Sequence, residues 1–86
     1  MSESRETRLK RLQMRSMRRG IKEMDIILSS FANAQLASMD DSELDHYETL
    51  MEEADLDLYQ WVSGQAPTPP QFLDLVTQIS ENMRAG

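Results

Sequence analysis

The chain has 86 residues and a net charge of −6, fifteen acidic residues against nine lysines and arginines, and that total hides a sharp split. Residues 1–22 hold eight of the bases with only Glu3 and Glu6 as acids, net +6, whereas residues 23–86 hold thirteen acids and only Arg84, net −12. The lack of cysteine excludes disulfides, cysteine metal sites and thiol nucleophiles. A single histidine, His46, excludes histidine-rich metal sites. No apolar run approaches the roughly 18 residues of a membrane span, and 40% hydrophobic content is too high for a fully disordered chain. A domain this small buries roughly 60–65% of its unfolded surface, so it suits a binding surface better than a deep catalytic pocket.

In chain order, residues 1–6 read as a flexible N-terminus and 7–84 as a single helical domain. Residues 7–19 predict a short basic helix with a thin apolar face of Leu9, Leu12 and Met17. Gly20 reads as a junction glycine, either adopting unusual dihedrals or letting another chain approach closely. Ile21, Met24, Ile27, Leu28 and Phe31 recur at spacings of three and four and predict a helix over 21–33. Asp40 and Glu43 form a capping box, with Met39 placed to staple onto Leu44. The helix that follows presents Leu44, Tyr47, Leu50 and Met51 on one face. Asp55 is expected to cap another short helix that buries Leu58, Trp61 and Val62 and ends at Gly64, which favours two helices over one bent helix across 42–62. Thr68 before Pro69 predicts a cap and a proline at the first helical position. Phe72, Val76, Ile79 and Met83 then define a last helix, so the fold class is all-α, a compact bundle of about five short helices.

The basic stretch from Arg8 to Lys22 has the charge of a nucleic-acid footprint, but the net −12 of the remainder opposes a polyanion. A protein partner with an acidic rim fits better, and the carboxylates of 42–62 could meet the basic segment within the chain or a basic surface outside it. Arg19 and Glu23 are four apart, a spacing that allows an ion pair worth only about 0.3–0.5 kcal/mol if exposed. The arrangement also makes sense for recognition: arginine offers a rigid donor fork, glycine lets a backbone approach, and glutamate accepts hydrogen bonds. Met24, Met51 and Met83 lie on core stripes, whereas Met14 and Met17, beside the arginines, are interface candidates. The carboxylate pairs read as caps and solvated faces, and His46 as an ordinary half-exposed helix residue. Trp61 reads as a core anchor.

Arg18-Arg19-Gly20-Ile21-Lys22-Glu23-Met24-Asp25, followed by Leu28 and Phe31, resembles the signature of the small flavinylation factors of succinate dehydrogenase. These are called SdhE in bacteria and succinate dehydrogenase assembly factor 2 in mitochondria. Leu50-Met51-Glu52, Asp55-Leu56-Asp57-Leu58-Tyr59-Gln60-Trp61 and Pro67 extend the resemblance over residues 8–84. It implies a five-helix, chaperone-like FAD assembly factor, not an enzyme. Such a factor binds the flavoprotein subunit of succinate dehydrogenase, and in some bacteria that of fumarate reductase, and promotes covalent attachment of FAD to a histidine of that subunit. The FAD belongs to the partner, and the chain has no cofactor of its own. The partner-binding patch implied here centres on Arg19, Gly20 and Glu23, with Arg18 and Asp25 beside them and Arg15 and Met17 on the preceding segment. The family often has an aromatic residue where this chain has Arg15, and a small or thiol residue where it has Met17.

Two other classes stay open at this stage. One is a nucleic-acid-binding or transcription-regulating module using residues 8–22, and the other is a toxin-neutralising regulatory protein with a helical docking face. The basic N-terminus lacks the apolar core of a secretory signal and runs without a linker into the next helix. A bacterial cytoplasm is therefore expected, or a mitochondrial matrix if the source is eukaryotic, with no membrane insertion, no nucleic acid bound and a monomer when free.

Overall fold

The apolar positions spaced three and four apart converge on one core in the computed structural model, which describes residues 3–85. Five α-helices follow in order: α1 Arg5–Arg15, α2 Lys22–Gln35, α3 Asp41–Leu50, α4 Asp55–Val62 and α5 Leu73–Ala85. Single 3-10 turns, Leu36–Ser38 and Pro70–Phe72, join α2 to α3 and α4 to α5. Among the described residues there is no strand, and the protein is all-α. No helix there is long and apolar enough to cross a membrane.

Helix α2 is central and packs against α1, α4 and α5. Its Met24, Leu28 and Phe31 are fully buried, and the Phe31 ring stacks on Tyr47 of α3 at 5.8 Å. Leu12 from α1, Leu44 and Leu50 from α3, Leu58 from α4 and Ile79 from α5 complete the interior. Each such side chain contributes about 1.5–3 kcal/mol through the surface it withdraws from water. The Asp40–Glu43 box forms as read from the sequence: the Glu43 N–H donates to Asp40 at 2.8 Å, and the Asp40 N–H donates to Glu43 at 3.0 Å. Residues 42–62 are two helices, separated at 51–54.

Several expectations shift. Helix α1 starts at Arg5, capped by Ser4, inside the segment read as loose; Met1 and Ser2 of that segment lie outside the described residues. The N-cap of α4 is Ala54, not Asp55, which is the first helical residue. Thr68 does not cap a helix, because Pro70 forces Pro69 into extended backbone (ψ 141°) and the α-helix begins only at Leu73. Met83 is 38% exposed rather than core, and Trp61 is half-buried, stacked on Phe72 at 6.0 Å.

The two oppositely charged halves meet inside the molecule. Arg5, Arg8, Arg11 and Arg15 on α1 face Asp41, Asp45, Glu48 and Glu52 along α3 and its end. The Arg8–Asp45 contact is 2.5 Å, Arg11–Glu48 2.8 Å and Arg15–Glu52 3.3 Å. Arg11 also holds Glu3 at 2.9 Å. Cations already matched to carboxylates are costly to turn toward phosphates, which weakens the nucleic-acid reading of residues 8–22. Hydrogen bonding from Arg11 holds the Glu48 carboxyl below the usual carboxylate range. A lowered folded-state pKa gives stability that is present above the unfolded value, about 4.3, and lost as pH falls through the folded value. Glu48→Gln is therefore expected to cost about 0.5–1 kcal/mol at neutral pH. The stabilities of the two proteins should converge only as pH falls through the lowered folded value of Glu48; a gap unchanged in strong acid, with the carboxyl protonated, counts against the ionic origin.

Candidate protein-docking site

The turn from α1 to α2 is built around one arginine. Past Arg15, the Ser16 and Met17 amides still donate to carbonyls of α1, and then Arg18 takes a left-handed conformation (φ 55°). That conformation costs a non-glycine residue about 1–2 kcal/mol. It sends Arg19 back across the molecule to the α3–α4 turn. There Arg19 Nε donates to Asp55 Oδ1 at 2.6 Å, and the two side chains are only 11% and 18% exposed. The remaining guanidinium donors reach backbone carbonyls: Arg15 at 3.0 Å, and Met51 and Glu53 at 3.4 Å. Arg19 thus bolts one loop to another and has little left for a partner. The Arg19–Glu23 ion pair that the spacing allows does not form, since Arg19 precedes α2 and points away from it.

Asp55 completes the joint. An acid in the first turn of α4 sits favourably against its unpaired N–H groups, and its second oxygen accepts the Gly20 N–H. A Cβ on Gly20 would lie 3.1 Å from Asp55 Oδ2, tighter than ordinary contact. The positive φ of this loop falls on Arg18 and not on Gly20. Gly20 therefore serves close approach, and the group that approaches is the chain's own Asp55, which a Cβ would push back by a few tenths of an ångström.

Beneath the turn lies a buried polar pair. Ser16 Oγ lies 2.8 Å from the Leu12 carbonyl and 2.5 Å from the Tyr47 hydroxyl, and both residues are fully buried. Burial pushes the Tyr47 hydroxyl up to about 12, against smaller opposing effects of the Ser16 hydrogen bond and the Arg19 charge. Among the described residues every buried side-chain nitrogen or oxygen has a hydrogen-bond partner.

The sequence-derived site residues therefore divide. Arg19 and Arg15 are turned inward, Arg15 to the Met51 carbonyl at 3.5 Å and to Glu52. Asp25 is half-buried and accepts from Ser29 at 3.3 Å. Met17, Arg18, Gly20 and Glu23 are exposed, Met17 at 47%. Among the described residues Arg18 and Glu23 enter no ion pair. Asp55 and the Ser16–Tyr47 pair are the structural members that sequence reasoning missed. No three histidine or acidic side chains of the described residues converge as metal ligands would.

Removing Asp55 leaves the Arg19 guanidinium and the Gly20 amide without their acceptor. Asp55→Ala is expected to cost about 2–3 kcal/mol in urea denaturation, whereas Glu23→Gln, on an exposed face, costs less than about 0.5 kcal/mol. Equal losses for the two would contradict this division. For Tyr47, a folded pKa raised above the ordinary value of about 10 means stability present below pH 10 and lost as pH rises toward 12. Tyrosinate absorbance should show a component with a midpoint near 12, absent in Tyr47→Phe.

Comparison with known proteins finds likeness over nearly the whole chain. The family model described as the flavinator of succinate dehydrogenase matches residues 10–83. A protein named succinate dehydrogenase assembly factor 2, mitochondrial, from Candida glabrata is 43% identical over 90 residues, covering 95% of this chain and 59% of the relative. Proteins of the same name from Drosophila grimshawi and Mycosarcoma maydis are 35% and 38% identical, covering 90% and 83% of this chain and 54% and 30% of their own lengths. The chain thus spans about half the length, or less, of several curated relatives that it matches. It belongs to the flavinator of succinate dehydrogenase family.

Proposed function

We propose that this chain is an assembly factor that binds the flavoprotein subunit of succinate dehydrogenase and promotes covalent attachment of FAD to it. The chain is not itself the enzyme: the FAD and the bond-forming chemistry belong to the partner. The observation that carries the reading is the exposed Gly20–Glu23 turn, held from behind by Arg19 and Asp55 and flanked by Arg18 and Met17. The names of the family and of the relatives support it.

A turn fixed before docking loses little conformational freedom on binding, so more of the contact energy is available to orient the partner. Orientation of reacting groups can contribute several kcal/mol to a rate. The chain would supply it indirectly, by holding the flavoprotein in a reactive arrangement. Arg18, exposed and without an ion-pair partner among the described residues, is free to donate toward negative charge on the docked surface. The reading includes the flavoprotein of fumarate reductase as a second client, on the resemblance alone. It places the protein in the compartment of its client, bacterial cytoplasm or mitochondrial matrix, as a monomer when free.

Co-expression with the flavoprotein subunit, followed by in-gel fluorescence of covalently bound flavin, tests the role. Glu23→Ala is expected to slow flavinylation about tenfold or more, as for a residue at an energetic centre of an interface, at an unchanged melting temperature. Wild-type rate and yield in that variant would remove Glu23 from the docking surface.

A further inference from the structure

The Gly20–Glu23 turn is too small to be a whole interface. A stable protein–protein contact takes roughly 800 Å² from each partner, about a seventh of the 5443 Å² that this chain exposes. The docking face must spread onto neighbouring surface, and the surface that begins at Glu23 is apolar. Glu23 forms one wall of a groove of about 320 Å³ between α2, α4 and α5, with Ile26, Ile27, Tyr59, Val62 and Met83 among its lining. Ile26 is 62% exposed and Met83 38%, although isoleucine and methionine are ordinarily interior residues. One turn before Tyr59 on α4, Leu56 is 59% exposed as well. Helices α2 and α5 are also tied by a hydrogen bond from Asn82 to Ser30, 3.2 Å long. An apolar centre containing Met and Tyr, bordered by charge, has the composition of an interface core and not of a solvated rim.

We propose that this groove is the second half of the docking site and takes an apolar segment of the flavoprotein subunit that carries a lysine or arginine at the end lying beside Gly20. The cation follows from charge. Glu23 is the charged residue among the described residues that line the groove, and no cation of the described chain pairs with it. An interface closing over an unmatched carboxylate would have to desolvate it, so a partner cation beside it is required. The proposal rests on the assembly-factor reading above and adds where the partner lies and what it presents.

Binding of the full chain to the purified flavoprotein subunit, measured by titration calorimetry, tests it. Ile26→Glu places a second carboxylate in the groove at an exposed position, and is expected to weaken binding tenfold or more while the melting temperature stays at the wild-type value. Leu73→Glu, at a position 53% exposed at the start of α5, is expected to change affinity less than twofold. Wild-type affinity in Ile26→Glu with loss of binding in Glu23→Ala overturns the groove and leaves the assembly-factor reading standing. An equal loss in Leu73→Glu overturns it too, by showing that any added charge acts alike. If the wild-type chain does not bind the subunit, both readings fall together.

Discussion

The contact between Arg19 and Asp55 does several electrostatic jobs at one point. Arg15, Met51 and Glu53 carry carbonyls at or just beyond the C-terminal ends of α1 and α3, groups that have lost their regular helical partners. A cation at such ends is favoured by the helix dipoles, and an acid is favoured at the start of α4. Arg19 therefore answers two helix C-termini while Asp55 answers one N-terminus, and the two side chains answer each other at 2.6 Å. A partly buried ion pair is worth little when it only recovers its own desolvation. Here the guanidinium also meets the backbone carbonyls and the carboxylate also meets the Gly20 amide, so both ions keep hydrogen bonds in place of water. The left-handed Arg18 and the missing side chain of Gly20 are local concessions to that joint.

The charge asymmetry of the chain has a second consequence. The arginines of α1 lie against the carboxylates of α3, which neutralises most of the basic segment within the fold. Exposed pairs of this kind contribute only tenths of a kcal/mol to about one each, so the core stabilises the protein far more than the ladder does. The ladder's larger effect is on orientation. It fixes the azimuth of α1, a helix with one fully buried apolar residue, Leu12, and thereby fixes where its C-terminal turn begins. The charge left unmatched on the side of α2, α4 and α5 is mainly acidic, which sets the sign of a complementary partner.

Helix number and core were legible because apolar spacing reports directly on which face is buried, and Met24, Leu28, Phe31, Leu44, Tyr47, Phe72 and Ile79 all sit where that spacing puts them. The Asp40–Glu43 box was legible because both partners lie within one turn. Asp55 was misread because a capping residue and a first-turn acid differ by one position, and local sequence does not resolve that register. Its real partner lies 36 residues away, where spacing rules are silent. Tyr47 shows the same limit: its place on the apolar stripe was visible, but its hydroxyl contact with Ser16 across 31 residues was not. In the candidate site the motif residues were identified as a group, while the division into inward Arg19 and outward Glu23 required the path of the turn.

That division bears on how loss of function at this site is to be understood. Arg19, Gly20 and Glu23 are close in sequence, so damage at any one of them invites the conclusion that all three touch the partner. Physically they differ. A side chain added at Gly20 first meets Asp55, and a change at Arg19 first frees three backbone carbonyls and a carboxylate. Both effects pass through the fold before they reach a bound protein. In a domain whose whole stability is a few kcal/mol, losing about 2 kcal/mol raises the unfolded fraction about thirtyfold, enough to mimic the loss of a contact. A partner that binds only the folded turn would offset part of that cost by mass action. A lowered melting temperature, with a defect that fades as partner concentration rises, is therefore the signature of Arg19 acting as scaffold. A loss of affinity at an unchanged melting temperature belongs to a docking group such as Glu23, whose contact is made with the partner itself.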